Sequence, residues 1–228
     1  MFSRLLRAIG VRRGAAPVLS PLDAYALWSA SYPPEAHNPL MRLEQQAVLE
    51  LLPDARGQTA LDLACGGGRY LKLLRERGVA RVVGLDLSPQ MLHRAKTLAA
   101  DLVRADLLAL PFPPSTFDLI VCGLAVGHVP ALPRAVAEMS RALIPGGFVV
   151  YSDFHPFGAL AGWKRTFRAN GRQYAVRHHF HLYADHLAAC RAAGLEIEDV
   201  REPRIDVEHE WRGCPAVLVV RAKKIVNG

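Results

Sequence analysis

The 228-residue sequence has no Cys-x-x-Cys pair, no uncharged apolar run long enough to span a bilayer, and only five lysines beside 23 arginines. Each shortage excludes something. Cys65, Cys122, Cys190 and Cys214 stand far apart and mostly inside apolar runs, which fits free thiols in a reducing compartment better than a secreted disulfide framework. The N-terminal MFSRLLRAIGVRRG is basic, but Arg4 and Arg7 break its apolar stretch, so the unbroken core of a signal peptide is missing. With no spanning run either, a cytoplasmic protein with no membrane partner is expected. The net charge of +7 comes from 28 basic and 21 acidic residues scattered along the chain. That pattern disfavours a nucleic-acid patch and leaves an acidic small substrate or an acidic partner protein open. What is present is apolar: 51% of the residues are hydrophobic. A chain of this length buries roughly 70% of its unfolded surface, so one soluble domain needs neither disulfides nor a structural metal.

The punctuation alternates between helix and strand. From Pro39 to Leu52 the apolar residues recur at helical spacing, closed by Pro53 and Gly57. Nearly continuous apolar runs then follow at Thr59 to Ala64, Arg81 to Leu87, Asp101 to Ala105, Phe117 to Cys122, and Gly147 to Ser152. Helical stretches separate them, Tyr70 to Arg77 and Gln90 to Ala100 among them, the latter opened by Ser88-Pro89. Strands without polar alternation, interleaved with helices, imply a parallel sheet covered on both faces. The fold class is therefore α/β, doubly wound.

In such a sheet the ligand crevice lies at the carboxyl ends of the strands. The first run ends in Asp62-Leu63-Ala64-Cys65-Gly66-Gly67-Gly68-Arg69, a turn of small residues opening a helix. Such a turn lets a ligand approach the backbone and the helix-start amides. The second run ends at Asp86, where an acid can hold a ribose diol; the third at Asp106-Leu107; the fourth at Gly123-Leu124; the fifth at Asp153-Phe154-His155. A dinucleotide fingerprint is incomplete, because Leu71 or Arg69 stands where its third glycine belongs, and no Gly-Lys-Ser/Thr of a P-loop follows. Asp62 would repel a pyrophosphate and attract an ammonium group. The ligand should carry a cation near it.

Four stretches in order resemble the class I S-adenosylmethionine-dependent methyltransferases, the small-molecule, type 11-like group. They are Leu61 to Tyr70, Gly84 to Ser88, Ala105-Asp106-Leu107 with Leu110 to Asp118, and Arg141 to Gly147; the likeness runs from about Ala60 to Phe154. The resemblance implies S-adenosylmethionine as cofactor. Asp62 and the backbone from Ala64 through Cys65 and Gly66 to Gly68 would hold its methionine end, Asp86 the ribose and Asp106 the adenine amino group. Leu87 and Leu107 would sandwich the ring, and the backbone near Gly123 would meet the ammonium. Ala64 departs from the family's glycine, which is tolerable if φ there stays negative. As lone residues, Asp62 and Asp106 read equally well as caps of a turn and a helix; as a set with Asp86 they read as a site. The family also implies a seven-stranded, mostly parallel Rossmann-like sheet ending in an antiparallel C-terminal hairpin, here Leu195 to Val200 and Ala216 to Arg221 joined through Glu208 to Gly213.

The acceptor is less visible. Methyl transfer needs no metal, and a base only if the acceptor must lose a proton. His155 is the preferred candidate base and His128 the second, each reading also as an orienting or structural histidine. Tyr25, Trp28 and Tyr32 form one aromatic stripe that either closes over the cofactor, as expected for Tyr25, or packs as a lid helix. Ala159 to Tyr183 is expected to cover the crevice, with Arg177 to Tyr183 as a strand whose His179 and His181 share a face. Metal binding there is disfavoured for lack of carboxylate or thiolate partners, and an arginine- and histidine-rich lining for an anionic acceptor is preferred. The expected organisation is an N-terminal helical lid (1–58), a cofactor-binding core (59–153), and a substrate cover with hairpin (154–228) of the same domain. The expected activity is methyl transfer to a small molecule, a carboxylate or an acyl group on an acyl carrier protein being one such acceptor. The alternatives are an RNA or protein methyltransferase, or a cofactor-binding protein without transfer activity.

Overall fold

The computed structural model describes residues 16–98, 101–206 and 210–226. The basic N-terminal segment to Gly14, Ala99 and Ala100 at the expected helix end, and Glu208 and His209 in the expected hairpin connection lie outside these residues. The described chain opens with a two-residue strand, β1 (Val18–Leu19), and the helices α1 (Pro21–Trp28) and α2 (Pro39–Leu51). Both helices start where the sequence supplies a cap: Ser20 and Asn38 accept from the N–H groups of Asp23 and Met41, and a proline follows each.

The alternating part then runs β2 (Thr59–Leu63), α3 (Arg69–Glu76), β3 (Arg81–Asp86), α4 (Pro89–Ala95), β4 (Asp101–Arg104), β5 (Phe117–Cys122), α5 (Leu132–Ala142) and β6 (Leu143–Phe154). After it come a single turn α6 (Phe157–Leu160), β7 (Thr166–Ala169), β8 (Arg172–Val176), α7 (Tyr183–Ala192), β9 (Leu195–Arg201) and β10 (Val217–Lys224). Seven strands form one sheet in the order β4-β3-β2-β5-β6-β10-β9. All neighbours from β4 to β6 are parallel, and β10 runs antiparallel to both β6 and β9. The expected doubly wound, seven-stranded α/β architecture is present.

Successive side chains of a strand face opposite ways, so these apolar runs feed two cores at once. Ala60, Leu119, Val121, Val150 and Val219 pack with Val48 of α2 and Leu71 of α3, while Leu61, Ile120, Tyr151 and Val220 pack on the other face with Val136 and Met139 of α5. Each of these side chains is at most 1% exposed, worth about 1.5–3 kcal/mol for a Val, Leu, Ile or Met.

Two features depart from expectation. β1, β8 and β7 make a second, three-stranded sheet, in which Val18 and Leu19 pair in parallel with Ala175 and Val176. Its β7–β8 hairpin turns at Asn170-Gly171, both at positive φ (49° and 71°), the conformation that an Asn-Gly pair favours. Second, β8 stops at Val176, so the expected strand from Arg177 to Tyr183 does not form. The His179 N–H instead donates to the Gly127 carbonyl at 2.7 Å and the His181 Nε2 to that of Val129 at 3.1 Å, docking the segment on the loop after β5. Among the described residues, no group of three or more His, Cys, Asp or Glu side chains could hold a metal, and no helix is long and apolar enough to cross a membrane.

Candidate functional site

A cavity of about 260 Å³ opens over the carboxyl ends of β2, β3 and β5. Asp62 sits at its base on β2, 1% exposed, with Oδ2 accepting the Leu71 N–H at 3.0 Å. Burial raises its carboxyl from 3.8 to about 7, against the pull of the nearby Arg69 charge. The turn that follows is tied to β3 by the Cys65 N–H on the Leu85 carbonyl at 2.9 Å. Ala64, Cys65 and Gly66 line the cavity.

The condition under which alanine is tolerated at position 64 is not met. Its φ is +57°, not negative, so an alanine methyl occupies a left-handed position that glycine adopts without cost. Gly68 also departs from expectation, for it does not line the cavity. Its φ is +90°, and a Cβ there would stand 2.4 Å from Leu98 Cδ1 and 3.2 Å from Leu71 Cδ1, so its smallness serves helix packing.

Asp86 ends β3 next to this turn. Its Oδ2 accepts the Gly66 N–H and its Oδ1 the Ser88 N–H, both at 2.8 Å. Burial lifts its pKa, with these N–H groups working the other way. Leu87 and Leu107 flank the cavity, and Asp106 lies exposed at its rim with Oδ1 on the Leu108 N–H at 2.9 Å. Gly123 lines the opposite wall; a Cβ there would meet Tyr70 Cε2 at 2.5 Å and Glu44 Oε1 at 3.0 Å.

Glu44 was missed by sequence reasoning. It is 0% exposed on α2, takes the Tyr70 and Ser152 hydroxyls on Oε1 at 2.8 and 2.6 Å, and pairs through Oε2 with Arg69 Nη2 at 2.8 Å. Its only sequence signal is an acid on the apolar stripe of a helix. This network anchors α2 beneath the turn.

Two rings of the N-terminal segment, Tyr25 and Tyr32, line the far side, with Trp28 packed behind them. Trp28 stacks on Phe167 of the small sheet at 4.9 Å, while Tyr25 reaches the cavity and donates its hydroxyl to His128 Nε2 at 3.0 Å. The His128 Nδ1 faces the Arg177 carbonyl at 3.4 Å, an acceptor only, which assigns the proton to Nδ1 and leaves Nε2 to receive the tyrosine. Burial, then the Arg165 charge, holds this histidine well below its usual pKa, so it is neutral. His155 is placed elsewhere. Its Nδ1 accepts the Phe157 N–H and its Nε2 pairs with Glu202, both at 3.1 Å, and it does not line the cavity. The expectation that it faces an acceptor is not met, because the chain turns at the end of β6 into α6.

A family model described as a methyltransferase domain matches residues 61–151. A crystal structure of an S-adenosylmethionine-dependent methyltransferase from Mesorhizobium loti is similar at 30% identity and a TM-score of 0.67, covering 80% of this chain and 98% of that one. The 2-phytyl-1,4-naphtoquinone methyltransferase of Thermosynechococcus vestitus is 38% identical over 120 residues, 49% of this chain and 53% of that protein. The malonyl-[acyl-carrier protein] O-methyltransferase of Enterobacter lignolyticus is 39% identical over 120 residues, 52% of this chain and 47% of that protein. The chain spans about half the length of these two curated relatives.

Proposed function

The chain belongs to the class I S-adenosylmethionine-dependent methyltransferases, and from that premise we propose how its cavity holds the cofactor and what it methylates. S-adenosylmethionine supplies an electrophilic methyl group on a sulfonium, with an ammonium, a ribose diol and an adenine as handles. The donor set fits those handles. The observation that carries the reading is the pair of acids Asp62 and Asp86 at the ends of adjacent parallel strands, both lining one cavity.

Asp62 is a buried carboxylate whose ionised form a cation would favour, and it takes the ammonium end with the backbone of Ala64 to Gly66 and Gly123. Asp86 spends one lone pair of each oxygen on the Gly66 and Ser88 N–H groups, which leaves capacity for two hydroxyls. Asp106 at the rim takes the adenine amino group, Leu87 and Leu107 flank the ring, and Tyr25 closes over it. Residues to 58 act as lid, 59–153 as cofactor-binding core, and 154–228 as acceptor cover and C-terminal hairpin of the same domain. Tyr25 and Arg165, on the cavity wall from outside the core, support that division.

The acceptor in this reading is a small-molecule carboxylate, free or as an acyl group on an acyl carrier protein. A carboxylate has no proton to lose, so positioning suffices. Both ring nitrogens of His128 are already engaged, which supports an orienting role for it over that of a base. The name of the Enterobacter relative and the net charge of +7 support an acidic partner.

Asp86→Ala removes two charge-assisted hydrogen bonds, so S-adenosylmethionine affinity measured by calorimetry should fall about a hundredfold or more. Retained micromolar affinity would sink the ribose assignment. Labelled methyl transfer into extract fractions should mark small molecules, or an acyl carrier protein whose label thioester cleavage releases, rather than RNA or protein side chains.

A further inference from the structure

Among the described residues, one cation lining the cavity has no partner of opposite sign. Arg165, just before β7, is 7% exposed and lines the cavity, yet its one hydrogen bond runs from Nη1 to the Leu124 carbonyl at 3.2 Å. Among the described residues no carboxylate pairs with it, whereas Arg69, on the same cavity, is matched by Glu44 at 2.8 Å. Its guanidinium carbon lies 5.6 Å from the Tyr25 ring centroid, 5.9 Å from Trp28 and 5.8 Å from Phe154. Three aromatic faces and one carbonyl hold the cation in place without neutralising it. A buried, unpaired charge is costly, and a guanidinium fork is shaped for a planar oxyanion that takes two parallel N–H bonds.

We propose that Arg165 is the acceptor-recognition residue of the cavity and takes a carboxylate of the methyl acceptor. The proposal rests on the reading of this cavity as the methyl-transfer site. Its position separates it from the cofactor acids. It arrives from the cover segment, packs on α1 and on the end of β6, and its field acts on Tyr25, His37 and His128, while the cation acting on Asp62 is Arg69. His128 beside it is neutral, so the guanidinium is the cation on this wall that an anion meets. A neutral ester cannot pair with it as the carboxylate does, so the same residue favours product release.

The other source of a carboxylate is the cofactor's own amino acid end, and the test separates the two. Wild type, Arg165→Met and Arg165→Lys are titrated by calorimetry with S-adenosylhomocysteine and with 5′-methylthioadenosine, which lacks the amino acid. The S-adenosylhomocysteine-loaded proteins are then titrated with benzoate and hexanoate against benzamide and hexanamide. In wild type the carboxylates should bind at about millimolar affinity or tighter and the amides should not. Arg165→Met should weaken the carboxylates about tenfold or more, Arg165→Lys should restore part of that loss, and S-adenosylhomocysteine affinity should be unchanged in both. A tenfold loss of S-adenosylhomocysteine with 5′-methylthioadenosine unaffected would assign Arg165 to the cofactor and overturn the proposal. So would carboxylates that bind wild type no better than their amides, or that bind all three proteins equally. Failure of wild type to bind S-adenosylhomocysteine at all would instead overturn the underlying cofactor reading.

Discussion

Replacing Asp62 with Asn tests whether the acid proposed to meet the cofactor's ammonium is held at the expense of stability. Asp62 is 1% exposed, and burial raises its pKa from 3.8 to about 7. Below pH 3.8 the group is protonated in both the folded and the unfolded chain and has no effect. Between pH 3.8 and 7 the unfolded chain gives up this proton while the folded chain keeps it, so stability falls by about 1.4 kcal/mol per pH unit. Above pH 7 both states are ionised, and the accumulated penalty is constant at about 4 kcal/mol. An asparagine oxygen can still accept the Leu71 N–H, but its amide NH₂ is buried, at a pH-independent cost of about 1–3 kcal/mol. The Asn variant should therefore be less stable than wild type near pH 4 and more stable by about 1–3 kcal/mol at pH 8. Urea unfolding of both proteins from pH 4 to 8 measures this directly. A stability difference that stays flat with pH would refute the reasoning, whatever its sign. The same carboxylate must be ionised to attract an ammonium, so wild-type cofactor affinity should drop as pH falls below 7, and the Asn variant should bind weakly at every pH.

Ala64→Gly should relieve about 1–2 kcal/mol of left-handed strain at φ +57° and give back about 0.4–1 kcal/mol of unfolded-state entropy. The net gain raises Tm by about 1–4 °C in a thermal melt, and a lowered Tm would show that the turn is not strained. Glu44→Ala leaves Arg69, with a side chain 14% exposed, and two buried hydroxyls unmatched. It should cost about 3–5 kcal/mol in urea unfolding, and a loss under about 1 kcal/mol would mean the network is not holding α2 in place.

The acids proposed to hold the cofactor, the turn between them and the succession of strands and helices along the chain were legible in the sequence because each is a local pattern. An apolar run in a two-sided sheet ends where its apolar residues end, and the residues at or just past its carboxyl end lie beside the crevice. Asp62, Asp86 and Gly123 reached the cavity wall for that reason, and the expected ends of the first four sheet strands differ from the observed ones by at most one residue. Where the chain leaves a strand, that logic stops. His155 follows β6 as His128 follows β5, yet one pairs with Glu202 outside the cavity and the other with Tyr25 inside it, because α6 and the β7–β8 sheet turn the chain differently.

The sign of φ at Ala64 was equally out of reach, since alanine ordinarily takes negative values and the turn is tied to the neighbouring strand by the bonds of Cys65 to Leu85 and of Gly66 to Asp86. Glu44 meets Ser152 across 108 residues, and Arg165 meets Leu124 across 41. Sequence determined which residues stand at the strand ends, and with them the cofactor. Tertiary packing alone decided that Arg69 is buried with a carboxylate partner and Arg165 among aromatic rings, because the energy of a buried charge depends on neighbours that no local pattern encodes.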